Sequence, residues 1–238
     1  MEKTFIFDLD DTLILNEHYY YNAKINLLYF IVEKLKKGLD LVDILKRHDE
    51  IDLDNVEKYG FDLERFPIST MQTFKELCEN KKYPYTEDEL KEAYEIGMQA
   101  YDVKPGLIKG ASDVLEFLHN KKDELLLYTK GDKRVQQKKI NINNLYQWFE
   151  KDKIYIVGEK NSNDLEKIVG SRDKEQTYKV GNSIRSDINP ALKVGIKTIY
   201  IPCETWIYES NHNGIDRSNP RVFVFHDIKE IIENYELL

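Results

Sequence analysis

Short apolar runs recur along most of the chain and end at polar or glycine-containing turns. Six of them have the length and continuous hydrophobicity of buried parallel strands. They cover residues 4–8, 124–129, 153–158, 177–181, 197–202 and 221–225. Helix-length segments lie between them, at residues 110–122, 132–140, 162–170 and 186–195. This alternation predicts an α/β fold, a doubly wound parallel sheet whose functional site lies at the carboxyl ends of the strands.

Residues 16–103 depart from that alternation. Hydrophobic side chains there recur with the period of a helix, as in YYNAKINLLYFIVEKLKKG and TEDELKEAYEIGMQAY, and Thr86 is placed to cap the second segment. We therefore predict a catalytic core formed by residues 1–15 and 104–238, with a helical domain of residues 16–103 inserted after the first strand. A helical cap over an α/β core is typical of an enzyme whose pocket lies between two domains.

The chain has 238 residues, which is ample for a hydrophobic core of this kind. Its 35 basic and 43 acidic side chains give a net charge of −8, which argues against broad binding of nucleic acids or anionic membranes. The N-terminal residues lack the basic region and long apolar segment of a secretory leader. Cys78 and Cys203 have no CxxC spacing, so both are expected to be free thiols in a reducing compartment. We expect a cytoplasmic protein that binds neither nucleic acid nor membrane, and we leave its oligomeric state open.

Polar side chains follow four of the predicted strands. Because the carboxyl ends of parallel strands meet at one edge of a sheet, we expect these side chains to assemble there. Carboxylates, a hydroxyl and ammonium groups in one place suit phosphoryl transfer. The residues are Asp8, Asp10 and Thr12 after the first strand, Thr129, Lys130 and Gly131 after the second, Lys160 after the third, and Asn182, Ser183 and Asp187 after the fourth.

Phosphoryl transfer gives these groups separate tasks. A carboxylate can attack phosphorus and form an acyl phosphate, which divides one difficult displacement into two easier steps. A second carboxylate two positions along the chain can protonate the leaving oxygen and then activate water. Anions that attack a third anion repel one another, so a divalent cation is needed among them, and Mg²⁺ suits oxygen ligands. Lys160 and Thr129 would bind the phosphate oxygens.

Four segments also resemble the motifs of the haloacid dehalogenase-like (HAD) hydrolase superfamily. DLDDT at residues 8–12 is similar to the DxDxT signature, and LLLYTKGD resembles the second motif, a hydrophobic strand that ends in Thr or Ser. VGEK, which ends at Lys160, resembles the lysine-bearing third motif. VGNSIRSDINPALKVG at residues 180–195 resembles the fourth, usually GDxxxxD before a helix. The four segments occur in the family's order, and this ordered set is far more specific than any one of them.

The resemblance implies a Rossmann-like core with a C1-type helical cap that helps to select the substrate, a small phosphorylated metabolite. It implies that Asp8 is the nucleophile and Asp10 the general acid/base. It further implies that Mg²⁺ is bound by Asp8, the backbone carbonyl of Asp10 and Asp187. The candidate phosphate ligands are Thr129, Lys160 and, next to Thr129, Lys130.

Two positions bear on the activity within this resemblance. Asn182 stands where the family commonly has Asp, so we expect weaker metal binding. The dehalogenase branch generally lacks the second aspartate of the first motif, so Asp10 favours phosphate chemistry. A Mg²⁺-dependent phosphatase is the main expectation. A phosphomutase, a dehalogenase and a metal- or phosphate-binding module with little turnover stay open as alternatives.

Other residues in or near the motifs are not expected to act directly in the reaction. The Asp11 side chain is expected to point away from its two neighbouring aspartates if the backbone is extended, which favours a structural role. Lys138 and Lys139 compete with Lys160 for the lysine role, but they lie in the middle of a helix and are expected to face solvent. For Thr12, Gly131, Asn182 and Ser183 we either expect a supporting role beside the site or leave the role undecided.

Aromatic residues offer weaker signals. The tyrosines of HYYYN, residues 18–22, are expected to pack within the helical domain in preference to lining a specificity pocket. Trp206 and Glu209 follow the fifth predicted strand, where a surface loop with one anchoring tryptophan is favoured over a wall of the site. None of the five histidines has the spacing of a metal cluster or a catalytic triad.

Overall fold

The computed structural model describes residues 2–36, 38–203 and 214–238. The chain divides into two compact units, Met1–Asn16 with Pro105–Leu238, and Glu17–Lys104. These boundaries lie one residue from the predicted ones. The first unit has an α/β architecture and the second is helical. The role of the helical unit as a cap stays a prediction.

The helical unit is built around an apolar core that includes Leu27, Phe30 and Phe74. Thr86 begins the last of its long helices with reciprocal hydrogen bonds. The Thr86 hydroxyl accepts from the Glu89 N–H at 3.2 Å, and the Glu89 carboxylate accepts from the Thr86 N–H at 2.9 Å, so the predicted cap is confirmed. The helices are α1 (Glu17–Leu35), α2 (Leu41–Tyr59), α3 (Arg65–Lys81) and α4 (Glu87–Met98).

A parallel sheet of six strands forms the centre of the α/β unit in the described part of the chain. The strands are β1 (Thr4–Phe7), β2 (Glu124–Lys130), β3 (Ile154–Val157), β4 (Thr177–Gly181), β5 (Lys197–Tyr200) and β6 (Val222–Val224). Their order is β3-β2-β1-β4-β5-β6, so the direction of winding reverses beside β1. Phe7 pairs with Leu127 of β2 and with Val180 of β4, so the segments after these strands emerge side by side. The predicted α/β fold is confirmed.

Helices cover both faces of the sheet because successive strand residues point to opposite sides. Phe5 and Phe7 belong to one apolar core, and Ile6 belongs to the other. The first core includes side chains of α5 (Ala111–Asn120), α6 (Lys133–Ile142) and α9 (Glu230–Glu233), and the second those of α7 (Ser162–Val169) and α8 (Asn189–Val194). A π-helical turn at Ile184–Ile188 precedes α8, and 3₁₀ turns lie at Leu145–Gln147, Lys151–Lys153, Lys174–Gln176 and Tyr235–Leu237.

Tyr20 of the HYYYN segment packs within the helical unit, as predicted. Its ring meets those of Phe66 and Tyr101 edge-on, with centroids 4.9 and 5.8 Å away. Trp206 and Glu209 lie outside the described residues. Cys78 is buried, Cys203 is exposed, and both are free thiols. Within the described ranges, no helix combines the length and the hydrophobicity that a membrane span requires.

Gly97 provides a test of the packing between α3 and α4. A Cβ at this position would lie 2.5 Å from Thr70 Oγ1 and 2.6 Å from Pro67 Cα. Alanine in a helix interior is normally more stable than glycine by about 0.5–1 kcal/mol. Here we expect Gly97→Ala to lower the free energy of unfolding by about 1–3 kcal/mol because the added methyl overpacks the interface.

Urea unfolding followed by circular dichroism measures this change. The control is Gly106→Ala, because an added Cβ there would meet no atom within 4 Å. A Gly97→Ala protein as stable as the wild type would show that the two helices do not pack this closely.

Candidate active site

Side chains after β1, β3 and β4 meet at one edge of the sheet. Asp8 directly follows β1, and its backbone N–H donates to the Val180 carbonyl of β4 at 2.9 Å. The strand pairing therefore extends to the candidate nucleophile and fixes its backbone. Asp8, Lys160 and Asp187 are all buried.

Four buried charges form a continuous array there. Lys160 Nζ donates to Asp8 Oδ1 at 2.5 Å and to Asp187 Oδ1 at 2.8 Å. Lys179, which is fully buried in the middle of β4, places its Nζ 2.8 Å from the same Asp187 oxygen. Negative and positive charges thus alternate from Asp8 to Lys179. Because an unpaired buried charge is very costly, each group depends on its neighbours.

The array shifts the pKa values of its two carboxyl groups in opposite directions. Burial and the nearby Asp187 charge raise the pKa of Asp8 to about 6, although Lys160 and Lys179 oppose this shift. Burial also disfavours ionisation of Asp187, but the two lysines outweigh it and lower the pKa of that carboxyl to about 2. Asp187 is therefore a fixed anion at neutral pH. Asp8 is the group whose ionisation a further cation would favour.

The local backbone explains how Asp187 reaches the array. It lies in the π-helical turn, and its Oδ2 accepts a hydrogen bond from the Ser183 N–H at 3.2 Å. Gly181 ends β4, and a Cβ at that residue would overlap the Asp187 carboxylate. Glycine at the strand end and the turn after it together allow the carboxylate to fold back against β4.

Asn182 faces a group of oxygens from the segment after β1. One terminal atom of its amide lies 3.3 Å from each of Asp8 Oδ2, the Asp10 backbone oxygen and Thr12 Oγ1. As a nitrogen, this atom donates to the three oxygens. As an oxygen, it accepts from Thr12 and joins the Asp8 and Asp10 oxygens. A carboxylate, a backbone carbonyl and an amide oxygen suit Mg²⁺, so the donor chemistry fits a divalent cation.

The predicted metal ligand Asp187 makes different contacts. One of its oxygens faces two lysines and the other accepts from the Ser183 N–H. In the residues that the structure describes, no group of three or more Asp, Glu, His or Cys side chains is arranged to hold a metal ion. The fit to Mg²⁺ therefore depends on the carbonyl and amide oxygens. Direct binding of Mg²⁺ by Asp187 stays a prediction.

Asp10 is held by two side chains of α6 to which sequence analysis gave no role. Lys139 Nζ donates to Asp10 Oδ1 at 2.7 Å, and Gln136 Nε2 donates to Asp10 Oδ2 at 3.0 Å. The prediction that Lys139 faces solvent is wrong because it is buried, whereas Lys138 is exposed. Gln136 and Lys139 are three residues apart and share one face of α6. That spacing, directly after the second motif, is the signal that could have identified them.

The candidate phosphate ligands of β2 point to different neighbours. Thr129 Oγ1 accepts from Gln136 Nε2 at 2.6 Å. Lys130 Nζ donates to Ser186 Oγ at 2.9 Å, in the π-helical turn. Gly131 has φ 142°, and a Cβ there would lie 3.2 Å from Gln136 Cδ. Glycine therefore leaves room for the Gln136 side chain beside Thr129. Phosphate binding by Thr129, Lys130 and Lys160 stays a prediction.

Asp11 differs from the expectation in its backbone. Its φ of 55° is left-handed, not extended, a conformation that Asp tolerates better than most residues. Asp11 Oδ1 accepts a hydrogen bond from the Asn16 N–H at 2.9 Å. This contact agrees with the structural role predicted for Asp11, although the extended backbone assumed for it is absent.

Comparisons with known proteins place the fold. No protein-family model and no curated protein matches the sequence. A haloacid dehalogenase-like family hydrolase from Xanthomonas campestris is 22% identical, with a TM-score of 0.77, and the alignment covers 99% of this chain and 91% of that one. A proposed HAD hydrolase from Bacillus subtilis with bound magnesium is 19% identical, with a TM-score of 0.59 and 99% of both chains covered. A proposed β-phosphoglucomutase from Thermotoga maritima is 16% identical, with a TM-score of 0.62 and 100% of both chains covered.

At identities this low, the structural likeness shows the fold alone: the chain has the α/β fold of HAD-like hydrolases, as the sequence motifs implied.

The buried lysine of β4 yields a prediction about stability. Lys179→Met removes one of the two cations that compensate Asp187, so we expect the free energy of unfolding to fall by about 3–5 kcal/mol. Chemical denaturation measures the loss. Lys197→Met on the adjacent strand is the control, since this lysine is half-buried and its ammonium contacts the hydroxyl and ring of Tyr178, which carry no charge that needs compensation. A loss below about 1 kcal/mol for Lys179→Met would contradict a stabilising role for Lys179 in the array.

Proposed function

We propose that the protein is a Mg²⁺-dependent phosphatase of the HAD hydrolase superfamily that hydrolyses a small phosphorylated metabolite through an aspartyl-phosphate on Asp8. The observation that supports this most is the position of Asp8. One of its oxygens contacts the Lys160 ammonium, and the other lies 3.3 Å from the Asn182 amide, which also lies 3.3 Å from the Asp10 backbone oxygen. A nucleophile between a fixed ammonium and a cation site suits attack on an anionic phosphate.

The first step of the proposed reaction forms the acyl phosphate. An Asp8 oxygen attacks phosphorus, and the bond between phosphorus and the leaving oxygen breaks. Asp10 gives its proton to that leaving oxygen. Lys160 and Thr129 stabilise the negative charge on the nonbridging phosphate oxygens.

The second step hydrolyses the intermediate. The Asp10 carboxylate takes a proton from water as the water oxygen attacks phosphorus. The bond between phosphorus and Asp8 breaks, which releases inorganic phosphate, restores the Asp8 carboxylate and leaves Asp10 protonated for the next cycle.

Asp8, the Asp10 carbonyl and Asn182 are the groups we propose for holding Mg²⁺, with Asp187 as the counter-ion of the nearby lysines. When bound, the cation would supply charge neutralisation between the nucleophile and the phosphate. It would also oppose the burial and the Asp187 charge that raise the pKa of Asp8. The magnesium bound to the Bacillus subtilis hydrolase supports a divalent metal in this fold.

A phosphomutase is the second candidate because the Thermotoga maritima protein of the same fold is a proposed β-phosphoglucomutase. Such an enzyme would form the same aspartyl-phosphate and then transfer the phosphoryl group to a second sugar hydroxyl. Formation of a sugar phosphate isomer without net phosphate release distinguishes it from a phosphatase. Substrate screening over sugar phosphates, nucleotides, phosphoglycolate and amino-acid phosphates separates the two.

The proposed nucleophile is tested by Asp8→Asn. We expect Mg²⁺-dependent hydrolysis of an aryl phosphate to fall by about 10⁴-fold or more because an amide cannot form the acyl phosphate. Asp113→Asn, an exposed aspartate of α5, is the matched control and should keep wild-type turnover. An Asp8→Asn enzyme with wild-type turnover would show that Asp8 is not the nucleophile.

The proposed metal site is tested by binding as well as by activity. Asn182→Asp adds a carboxylate to the oxygen group, so we expect it to tighten Mg²⁺ binding by about tenfold or more in isothermal titration calorimetry. Asn120→Asp, at the exposed end of α5, controls for the added charge. Unchanged Mg²⁺ affinity would remove Asn182 from the metal site.

EDTA should abolish phosphate release by the wild-type enzyme. Halide release from a haloacid that persists in EDTA would instead indicate a dehalogenase.

A further inference from the structure

We infer that Gln136 and Lys139 are positioning residues that orient the Asp10 carboxyl group for both of its proton transfers. This inference rests on the proposed phosphatase function and goes beyond it, since it assigns a task to α6. Each residue holds a different oxygen of Asp10. Neither is assigned a contact with the reacting phosphate.

Gln136 links Asp10 to the strand that carries the candidate phosphate ligand. Its Nε2 lies 3.0 Å from Asp10 Oδ2, 2.6 Å from Thr129 Oγ1 and 3.1 Å from the Lys130 backbone oxygen. Gln136 is buried, so this amide is not competing with bulk water for its partners. One side chain thus fixes the spacing between the proposed acid/base and the proposed phosphate-binding hydroxyl.

Lys139 holds the opposite side of Asp10. Its Nζ donates to Asp10 Oδ1 at 2.7 Å and to Asn16 Oδ1 at 2.8 Å. The Lys139 side chain is only 10% exposed and that of Asp10 is 24% exposed, so the ion pair is largely shielded from solvent. A charged hydrogen bond in such a setting restrains a carboxyl group more than an exposed ion pair does.

The N-terminus of α6 positions Gln136 and Lys139 beside Asp10. Asp132 caps the helix by accepting from the Arg134 N–H at 2.8 Å. Gly131 leaves space for Gln136, because a Cβ at residue 131 would lie only 3.2 Å from Gln136 Cδ. Gln136 and Lys139 then lie on one helix face, one turn apart, and both reach the same carboxyl group.

Orientation matters because Asp10 acts on two different partners in the proposed cycle. It gives a proton to the leaving oxygen as the phosphorus–oxygen bond breaks, and later takes a proton from the attacking water. A displacement of about 1 Å in a catalytic group can lower a rate by about 10²-fold. Restraint of both carboxylate oxygens keeps one geometry available for the two transfers.

The experiment compares Lys139→Met and Gln136→Leu with Lys138→Met, the exposed neighbour on α6. Each enzyme is assayed at saturating Mg²⁺ with an aryl phosphate, whose leaving group departs without a proton, and with an alkyl phosphate, whose leaving group needs one. Stopped-flow absorbance follows phenol release, and thermal unfolding confirms that each variant is folded. Lys139→Arg retains the cation and serves as the conservative variant.

For both variants we expect steady-state turnover to fall by about 10²-fold or more on each substrate, because water activation is impaired in every case. With the aryl phosphate, a burst of phenol equal to the enzyme concentration should precede slow turnover, since the acyl phosphate still forms. With the alkyl phosphate, analysis of alcohol release in acid-quenched samples should show no burst. Lys139→Arg should recover part of the lost rate, and Lys138→Met should match the wild type.

Two results would overturn the inference. One is a Lys139→Met enzyme that matches Lys138→Met on both substrates. The other is loss of the aryl phosphate burst together with turnover, which would mean that the nucleophilic step has failed and that Lys139 supports the site only structurally. Failure of the proposed function is recognised separately, because the wild-type enzyme would then release no phosphate from either substrate.

Discussion

The alternating array of Asp8, Lys160, Asp187 and Lys179 is the constraint to which the other features of the site conform. Its lysines come from β4 and from the segment after β3, and its carboxylates from the segments after β1 and β4. Burial makes each charge dependent on its partners. The adjacency of β1 and β4, the glycine at the end of β4 and the π-helical turn are the backbone features that bring these charges together.

Three aspartates near the sheet edge have separate environments, and this separation is what gives them separate tasks in the proposed reaction. Asp187 is neutralised by two lysines and is a fixed anion. The Asp8 carboxylate shares the Lys160 ammonium with Asp187. Burial and the Asp187 charge raise its pKa, so its ionisation is the one that a further cation would favour. Asp10 is restrained by α6 through both of its oxygens. In the proposed reaction, the same chemical group would therefore serve as counter-ion, nucleophile and acid/base.

The strands of the sheet, and the edge at which the candidate site residues meet, could be predicted from the sequence. Continuous apolar runs such as TFIF mark buried strands, and the residues after them must meet at one edge of a parallel sheet. The contacts within that edge could not be predicted in the same way. Lys139 has the same local pattern as a solvated helical lysine, and only the packing of α6 distinguishes it from Lys138. Lys179 carried a clearer signal, because a lysine inside a buried strand requires a buried anion nearby.

In the proposed reaction, Asp8 becomes phosphorylated during turnover. The most direct measurement is mass spectrometry of enzyme that has been mixed with an aryl phosphate and Mg²⁺, quenched in acid within one turnover and digested. If Asp8 is the nucleophile, we expect one phosphorylated peptide, which contains Asp8 and loses its phosphate when treated with hydroxylamine, as an acyl phosphate does. Steady phosphate release with no such peptide, or with the phosphoryl group on another residue, would show that Asp8 is not the nucleophile.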